Sequence, residues 1–248
     1  MKTGTAIVVG ASSGIGYSIA RRLIADGWTV TVAARRTDLM LPLRSMAPER
    51  VTIAALDATR DDAARRLLSL ITQAGGIDLY VHVAGQGKRN PTLAADIEMP
   101  TVALNADAFC RLVGAAYRYF AAKGTGHIAA VTSIAGTKGL GPAPAYSATK
   151  ALQATYLEAL TQHARTHGHD IATTDIRPGF VRTALLSGDS YPMLMDAEEV
   201  ARSAVKAIYR RRHVTVVDRR WRLLNALWSA LPHCLWRRMK IEYTHDIK

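Results

Sequence analysis

Cysteine is nearly absent. The 248 residues contain two, Cys110 and Cys234, far apart in the chain. That is too few for a disulfide framework, and the spacing is wrong for a metal site. A reducing cytoplasm is therefore the expected setting. Long apolar runs are also missing: none reaches the ~18 residues a membrane span needs. The apolar start, Ala6 to Val9, is too short for the core of a secretory signal and runs straight into glycines. No Pro/Ser-rich linker and no repeat divides the chain, so one domain is the economical reading. Acidic residues are scarce, 20 against 32 Lys and Arg, for a net charge of +12. The excess is uneven. From Lys206 onward eleven basic residues face three acidic ones, so +8 of the +12 lies in the last 43 residues. A basic balance invites a nucleic-acid or anionic-membrane partner, but a basic surface without a partner explains it as well. No nucleic acid is expected as a partner.

What is present is apolar residues, about half the chain, enough for a full core. They fall into alternating patterns. Short β-branched runs read as strands at Thr5–Val9, Trp28–Ala34, Val51–Leu56, Leu79–Val83, His127–Thr132, Ile171–Ile176 and His213–Val217. Helical spacing fills the gaps at Gly14–Ala25, Asp61–Gln73, Thr101–Ala122, Tyr146–Thr166 and Asp196–Tyr209. Strands joined through helices pair in parallel. The expected fold is α/β: a single Rossmann-type, doubly wound parallel sheet of seven strands with helices on both faces. Residues 1–218 form that domain, and residues 219–248 form a basic amphipathic extension of it. In the extension Trp221, Leu224, Trp228, Leu231 and Leu235 keep helical spacing, with Pro232 splitting the stretch in two. This stripe could cover the protein's own cleft, a second subunit or, given its arginine flanks, a lipid surface.

The first turn reads Gly10-Ala-Ser12-Ser13-Gly14-Ile15-Gly16, between the first strand and the first helix. Glycines let the backbone turn sharply and come close to a pyrophosphate, and the helix start offers free N–H groups. The same residues satisfy Gly-x-Ser-x-Gly, the elbow of a hydrolase nucleophile, which would make Ser12 reactive. That elbow follows several strands, and only one precedes Ser12, so the hydrolase reading ranks last. Where an NAD-selective site carries an acid at the end of the second strand, this chain has Arg35 and Arg36. Guanidinium forks suit a 2′-phosphate.

Farther along, Ser133 ends a strand, and thirteen residues later come Tyr146 and Lys150, at i and i+4 on one helix face. Reducing a carbonyl needs a hydride on carbon and a proton on oxygen. Tyrosine is a poor base, with a pKa near 10. An ammonium about 4 Å away is worth roughly 4 kcal/mol at an effective dielectric of ~20, enough to bring a phenol toward working pH. A serine hydroxyl beside it would polarise the carbonyl.

The Gly-x3-Gly-x-Gly turn, the Ser…Tyr-x3-Lys spacing and Asn105 in Ala-Leu-Asn-Ala together resemble the short-chain dehydrogenase/reductase family, in its NADP-preferring branch of about 250 residues. The likeness runs from about residue 3 to 218. Val9 stands where the family usually has Thr, and His82-Val83-Ala84-Gly85 where it usually has Asn-Asn-Ala-Gly. The resemblance implies NADPH or NADP+ as cofactor, held by Gly10, Ser12, Ser13, Gly14, Ile15, Gly16, Arg35 and Arg36. It also implies Asp57 and Ala58 at the adenine, and Ala84 and Gly85 at the adenosine ribose. Tyr146 and Lys150 would contact the nicotinamide ribose, and Pro178, Gly179, Val181 and Thr183 the carboxamide. Catalysis would rest on Asn105, Ser133, Tyr146 and Lys150, with Asn105 placing a water that relays protons from Lys150.

The expected activity is reduction of a ketone or aldehyde, reversible as an alcohol dehydrogenase. Its substrate is small and hydrophobic, under a Leu/Met-containing loop at Ala184–Met195. The expected assembly is a homodimer or homotetramer. The rival reading is a catalytically weak nucleotide-binding regulator on the same fold. No metal site is expected. His163, His167 and His169 cluster at a helix end, but no cysteine joins them.

Overall fold

A computed structural model describes residues 3–183 and 191–241. Among the described residues nine strands follow in chain order: β1 Thr5–Val9, β2 Thr29–Ala34, β3 Val51–Ala55, β4 Leu79–His82, β5 Thr125–Val131, β6 Asp170–Arg177, β7 Val181–Arg182, β8 Met195–Asp196 and β9 Val214–Val216. Seven of them form one parallel sheet in the order β3-β2-β1-β4-β5-β6-β9; β7 and β8 pair separately. The chain steps outward from β1 through β2 to β3, then returns to lay β4 on the other side of β1. The crevice above β1 and β4 is thus the topological switch point, where folds of this kind bind ligands.

Alternate residues of each strand feed two cores. Ala6 and Val8 of β1 pack with helix α1 (Gly14–Ala25), α2 (Leu41–Met46) and α7 (Ala197–Tyr209), through Ile19, Leu23, Leu43, Val200 and Ile208. Ile7 and Val9 pack on the opposite face with α3 (Ala63–Gln73), α5 (Phe109–Lys123) and α6 (Pro144–Thr166), through Leu67, Ile71, Phe109, Leu112, Phe120 and Leu157. A sheet covered on both faces explains why β1 reads as a continuous apolar run without alternation. Each such side chain, wholly buried, contributes roughly 1.5–3 kcal/mol.

The helix expected over Thr101–Ala122 differs from the observed one. α4 (Ala95–Val102) starts six residues earlier, and α5 runs on to Lys123. Between them, Ala103–Ala108 forms a π-helical segment centred on Asn105. Such wide turns commonly mark functional sites, because they re-aim a backbone that would otherwise close on itself. The other expected boundaries hold to within two residues. A 3-10 turn at Asp38–Met40, α2 and the β7–β8 pair were not anticipated.

The tail divides at Pro232 into α8 (Arg219–Ala230) and α9 (His233–Trp236). The tryptophans of the stripe turn inward. Trp221 is 3% exposed, and Trp228 is half-buried and stacked on Trp236. Leu224 and Leu235 are the exposed members of the stripe, and Leu223, Leu227 and Met239, outside it, are exposed as well.

Candidate active site

The register brings the ends of three strands together: Val9 of β1 lies opposite Ala33 of β2 and His82 of β4. The glycine turn therefore opens directly beside the Arg35–Arg36 and Ala84–Gly85 segments. Gly10 has φ +90°, and a Cβ there would stand 2.5 Å from the Ala84 backbone nitrogen. A Cβ on Gly16 would strike the Gly10 carbonyl at 2.1 Å, so no other residue fits either position. Ser13 sits at the start of α1 without a side-chain cap on the helix, and the first turn carries no acid. Its N–H groups thus keep their pull on a negatively charged ligand.

Arg36 Nη2 lies 3.4 Å from both Ser12 Oγ and Ser13 Oγ, so its charge hangs over the same turn. Arg35 is exposed beside it. Asp57 follows β3 and accepts from Thr59 N (3.0 Å) and Thr59 Oγ1 (2.7 Å). The hydroxyl bond from Thr59, with help from Arg35 and Arg60, holds the Asp57 carboxyl below its usual range. Ala58 is buried next to it. The cradle fits a dinucleotide: close backbone approach, an open helix start, and cations at the end of β2 where an acid would reject a 2′-phosphate.

The second cluster lies at the ends of β4 and β5. Ser133, 7% exposed, caps a short 3-10 turn (Ile134–Gly136): its Oγ accepts from Ala135 N at 3.1 Å and stands 3.5 Å from the Pro178 carbonyl. Tyr146 is half-buried on α6. A Cβ on Gly87 would lie 2.2 Å from its ring, so the loop after β4 rests on the phenol. Lys150 Nζ sits 5.8 Å from the ring centroid, within cation–π range. Lys150 is 5% exposed, and burial pulls its ammonium down to about 8, against a smaller upward pull from Asp175. It donates to the Val131 carbonyl (3.1 Å) and to Gln153 Oε1 (3.0 Å). Asn105 is wholly buried. Its side chain accepts from Gln86 N (2.9 Å) and donates to Gln86 O (2.6 Å) and Thr149 Oγ1 (3.2 Å). Its backbone carbonyl accepts from Gln153 Nε2 at 2.8 Å.

Pro178 and Gly179 follow β6 and lie against the Ser133 turn, with Val181 buried in β7. Thr183 approaches the glycine turn: a Cβ on Gly14 would meet its methyl at 3.0 Å. The loop expected at Ala184–Met195 falls, for residues 184–190, outside the described residues. Met195 is buried in β8. The two clusters meet at Gly85, where a Cβ would stand 3.3 Å from Asn105 Oδ1 and 3.5 Å from Lys150 Nζ. Two residues that touch these positions escaped notice in the sequence, Gly87 under Tyr146 and Gln153 beside Lys150; Trp221, the first residue of the tail's stripe, fills with its indole the space a Cβ at Gly179 would need. Only Gln153 carried a usable signal, being one turn after Lys150 on the same helix face.

His82 is fully buried. Its Nδ1 is 2.9 Å from Tyr80 Oη, and its ring stands edge-on to Phe109. Burial, reinforced by the Lys150 charge, pushes its imidazole down to about 3. Val83, where the family usually has Asn, joins the strands through its own backbone instead. Its N–H and that of Ala84 both donate to the Val9 carbonyl. The three histidines near the end of α6 stack on one another, and His163 bonds Tyr117 Oη.

Comparison with known proteins agrees with this geometry. The family model for short chain dehydrogenases matches residues 4–191. An oxidoreductase of Myxococcus xanthus is 35% identical over 221 residues, covering 85% of each chain. One from Mycobacterium tuberculosis is 29% identical over 243 residues, covering 94% of this chain and 95% of that one. Among solved structures, a bulky-bulky ketone specific alcohol dehydrogenase from Comamonas testosteroni superposes with a TM-score of 0.76 at 25% identity. It covers 98% of this chain and 97% of its own. A short-chain dehydrogenase from Sphingobium yanoikuyae, solved in complex with NADPH, superposes at 0.77 with 23% identity, covering 98% of both chains. The chain belongs to the short-chain dehydrogenase family of oxidoreductases, whose members work with a nicotinamide cofactor.

Proposed function

We propose that the protein is an NADPH-dependent reductase of hydrophobic ketones or aldehydes, with Tyr146 as the proton donor. The observation that carries this reading is the pairing, in one crevice, of the Tyr146–Lys150–Ser133 cluster with a dinucleotide cradle that bears arginines at the end of β2. NADPH would be held by the glycine turn, by Arg35 and Arg36 at its 2′-phosphate, and by Asp57, Ala58, Ala84 and Gly85 at its adenosine. Pro178, Gly179, Val181 and Thr183 would hold its nicotinamide end. When bound, it supplies a hydride to the carbonyl carbon. The rest of the chemistry belongs to the chain. Ser133 Oγ donates to the carbonyl oxygen and polarises it. Tyr146 Oη passes its proton to that oxygen as negative charge develops. Lys150, held as a cation beneath the ring, favours the phenolate left behind and would also hold the ribose.

Apolar rings follow the Pro178–Gly179 turn, with Phe180 packed against Tyr191 and Trp221. That suits an uncharged, hydrophobic substrate. The ketone dehydrogenase among the structural relatives supports the same substrate class. A homodimer or homotetramer is the assembly we expect.

The test is NADPH consumption with a panel of bulky and aliphatic ketones, in the wild type and in Tyr146→Phe. The variant should bind NADPH within a few-fold of wild type and lose turnover by about 10²–10⁴. Turnover within about tenfold of wild type would reject Tyr146 as the acid. No consumption by the wild type on any ketone would favour a nucleotide-binding regulator instead.

A further inference from the structure

Gln153 is 1% exposed, on the face of α6 that carries Lys150. A buried carboxamide brings two donors and an acceptor that must find partners. Here Oε1 accepts from Lys150 Nζ at 3.0 Å, and Nε2 donates to the Asn105 carbonyl at 2.8 Å. That carbonyl belongs to the π-helical segment, whose wide turn aims it toward α6. The family resemblance has Asn105 place a water that relays protons from Lys150, and the Lys150 ammonium and the Asn105 carbonyl both bond Gln153. In this chain one side chain spans them.

We infer that Gln153 is a positioning residue for Lys150: its amide joins the ammonium to the Asn105 carbonyl and acts as an anchor rather than a proton relay. The inference rests on the reductase reading. The chemistry of the group decides its role. An amide accepts at oxygen and donates at nitrogen, and it can hand a proton from one side to the other only by way of an unfavourable imidic acid. A water in that place would exchange protons freely. Gln153 therefore fixes the cation. The proton that Tyr146 gives to the product oxygen is then replaced from solvent without passing through Gln153.

The electrostatic setting makes this anchor consequential. Lys150 is almost wholly desolvated, and its charged form depends on the acceptors around it. Those are the Val131 carbonyl and Gln153. The ionisable groups facing it are Tyr146 on its own helix, Asp175 on β6 and His82 on β4. Asp175 is committed to Arg177 (2.6 Å) and to Thr132, and His82 is neutral at working pH. Gln153 is thus the only side chain among the described residues shown to bond the ammonium.

Two variants separate anchoring from mere packing. Gln153→Met keeps the volume and removes both hydrogen bonds. Gln153→Glu keeps the shape and puts a carboxylate against the ammonium. Lys150 is followed by NMR titration of its side-chain nitrogen, with folding checked by thermal melting and turnover profiled against pH. The Met variant should lower the Lys150 titration midpoint by about one unit. It should move the alkaline limb of ketone reduction the same way, and reduce kcat by about tenfold with KM within a few-fold. The Glu variant should move both midpoint and limb upward. Displacement of the two variants in the same direction, or no displacement in a folded Met variant, overturns the inference. The titration needs no substrate, so a wild type inactive on every ketone would defeat the reductase reading while the NMR arm still decides the role of Gln153.

Discussion

Arg35 and His82 carry separable consequences. Arg35 follows β2 where an acid would hold a ribose 2′-hydroxyl, and its neighbour Arg36 already reaches Ser12 and Ser13 in the glycine turn. NADPH should therefore be preferred over NADH. Arg35→Asp should raise the Kd for NADPH by about 10- to 100-fold, since a 2′-phosphate then meets a like charge, and should narrow or reverse the preference. Fluorescence titration with both cofactors measures this, and equal use of NADH by the wild type would refute it. His82 makes a claim about stability. Its folded pKa of about 3 lies below the 6.5 of a free imidazole, because burial opposes the charge. The unfolded chain takes up the proton first. The stability tied to a neutral His82 is therefore complete above about pH 6.5 and drains as the pH falls toward 3. By pH 4 the loss is roughly 3 kcal/mol, at ~1.4 kcal/mol per unit. His82→Asn, the residue usual in relatives, should flatten the fall in melting temperature between pH 6.5 and 4. Parallel curves for the two proteins would show that His82 is not the group responsible. Buried His127, pushed down to about 4 chiefly by burial, would continue to contribute in both.

At the scale of elements, legibility tracked how much of a segment's conformation its own residues decide. Helix α1 was readable to the residue, because Gly14 opens it, Ile15, Ile19 and Leu23 repeat with helical spacing, and Gly27 stops it. Strand β1 was equally plain, its run of apolar residues bounded by glycine. The π-helical segment was invisible, because Ala-Leu-Asn-Ala-Asp-Ala is as compatible with an ordinary helix. The wide turn is supported from outside, by Gln86 bonding the Asn105 side chain and by Gln153 bonding its carbonyl. Likewise, the β7–β8 pair consists of two residues on each side, and only the fold brings Val181 opposite Met195. The candidate site was legible where chemistry demands a residue type at a fixed offset, as with Tyr146 and Lys150. It was illegible where a contact depends on another chain segment, as with Gly87 under the Tyr146 ring and Trp221 against Gly179.

The whole molecule joins its charged end to its crevice. The tail is tied to the segments that flank the site by a series of specific bonds. Trp221 Nε1 donates to the Met193 carbonyl (3.1 Å), Thr137 Oγ1 to Asn225 Oδ1 (2.8 Å), Lys138 Nζ to the Leu231 carbonyl (3.0 Å) and Trp236 Nε1 to the Gly139 carbonyl (2.8 Å). Residues 137–139 lead from the Ser133 turn toward the helix of Tyr146, and Trp221 backs the Pro178–Gly179 turn. Removing residues 219–248 should therefore open the substrate side and spare the cradle at the opposite end. KM for hydrophobic ketones should rise by about tenfold, as several apolar contacts are lost, while the Kd for NADPH stays within about threefold. The outer face of the same tail carries Leu223 (65% exposed) and Leu227 (62%) one turn apart. From Arg219 to Lys240 there are six basic residues and no acidic one. A second copy pressed against this face would bring like charges together, whereas an anionic lipid surface would meet both the leucines and the arginines. Leu223→Glu with Leu227→Glu changes only that face. The double variant should keep full turnover on a soluble ketone and lose sedimentation with phosphatidylglycerol vesicles that the wild type shows at low salt. If the wild type ignores those vesicles, the lipid contact is refuted. If deletion of the tail leaves KM unchanged in a folded protein, the tail does not wall the substrate.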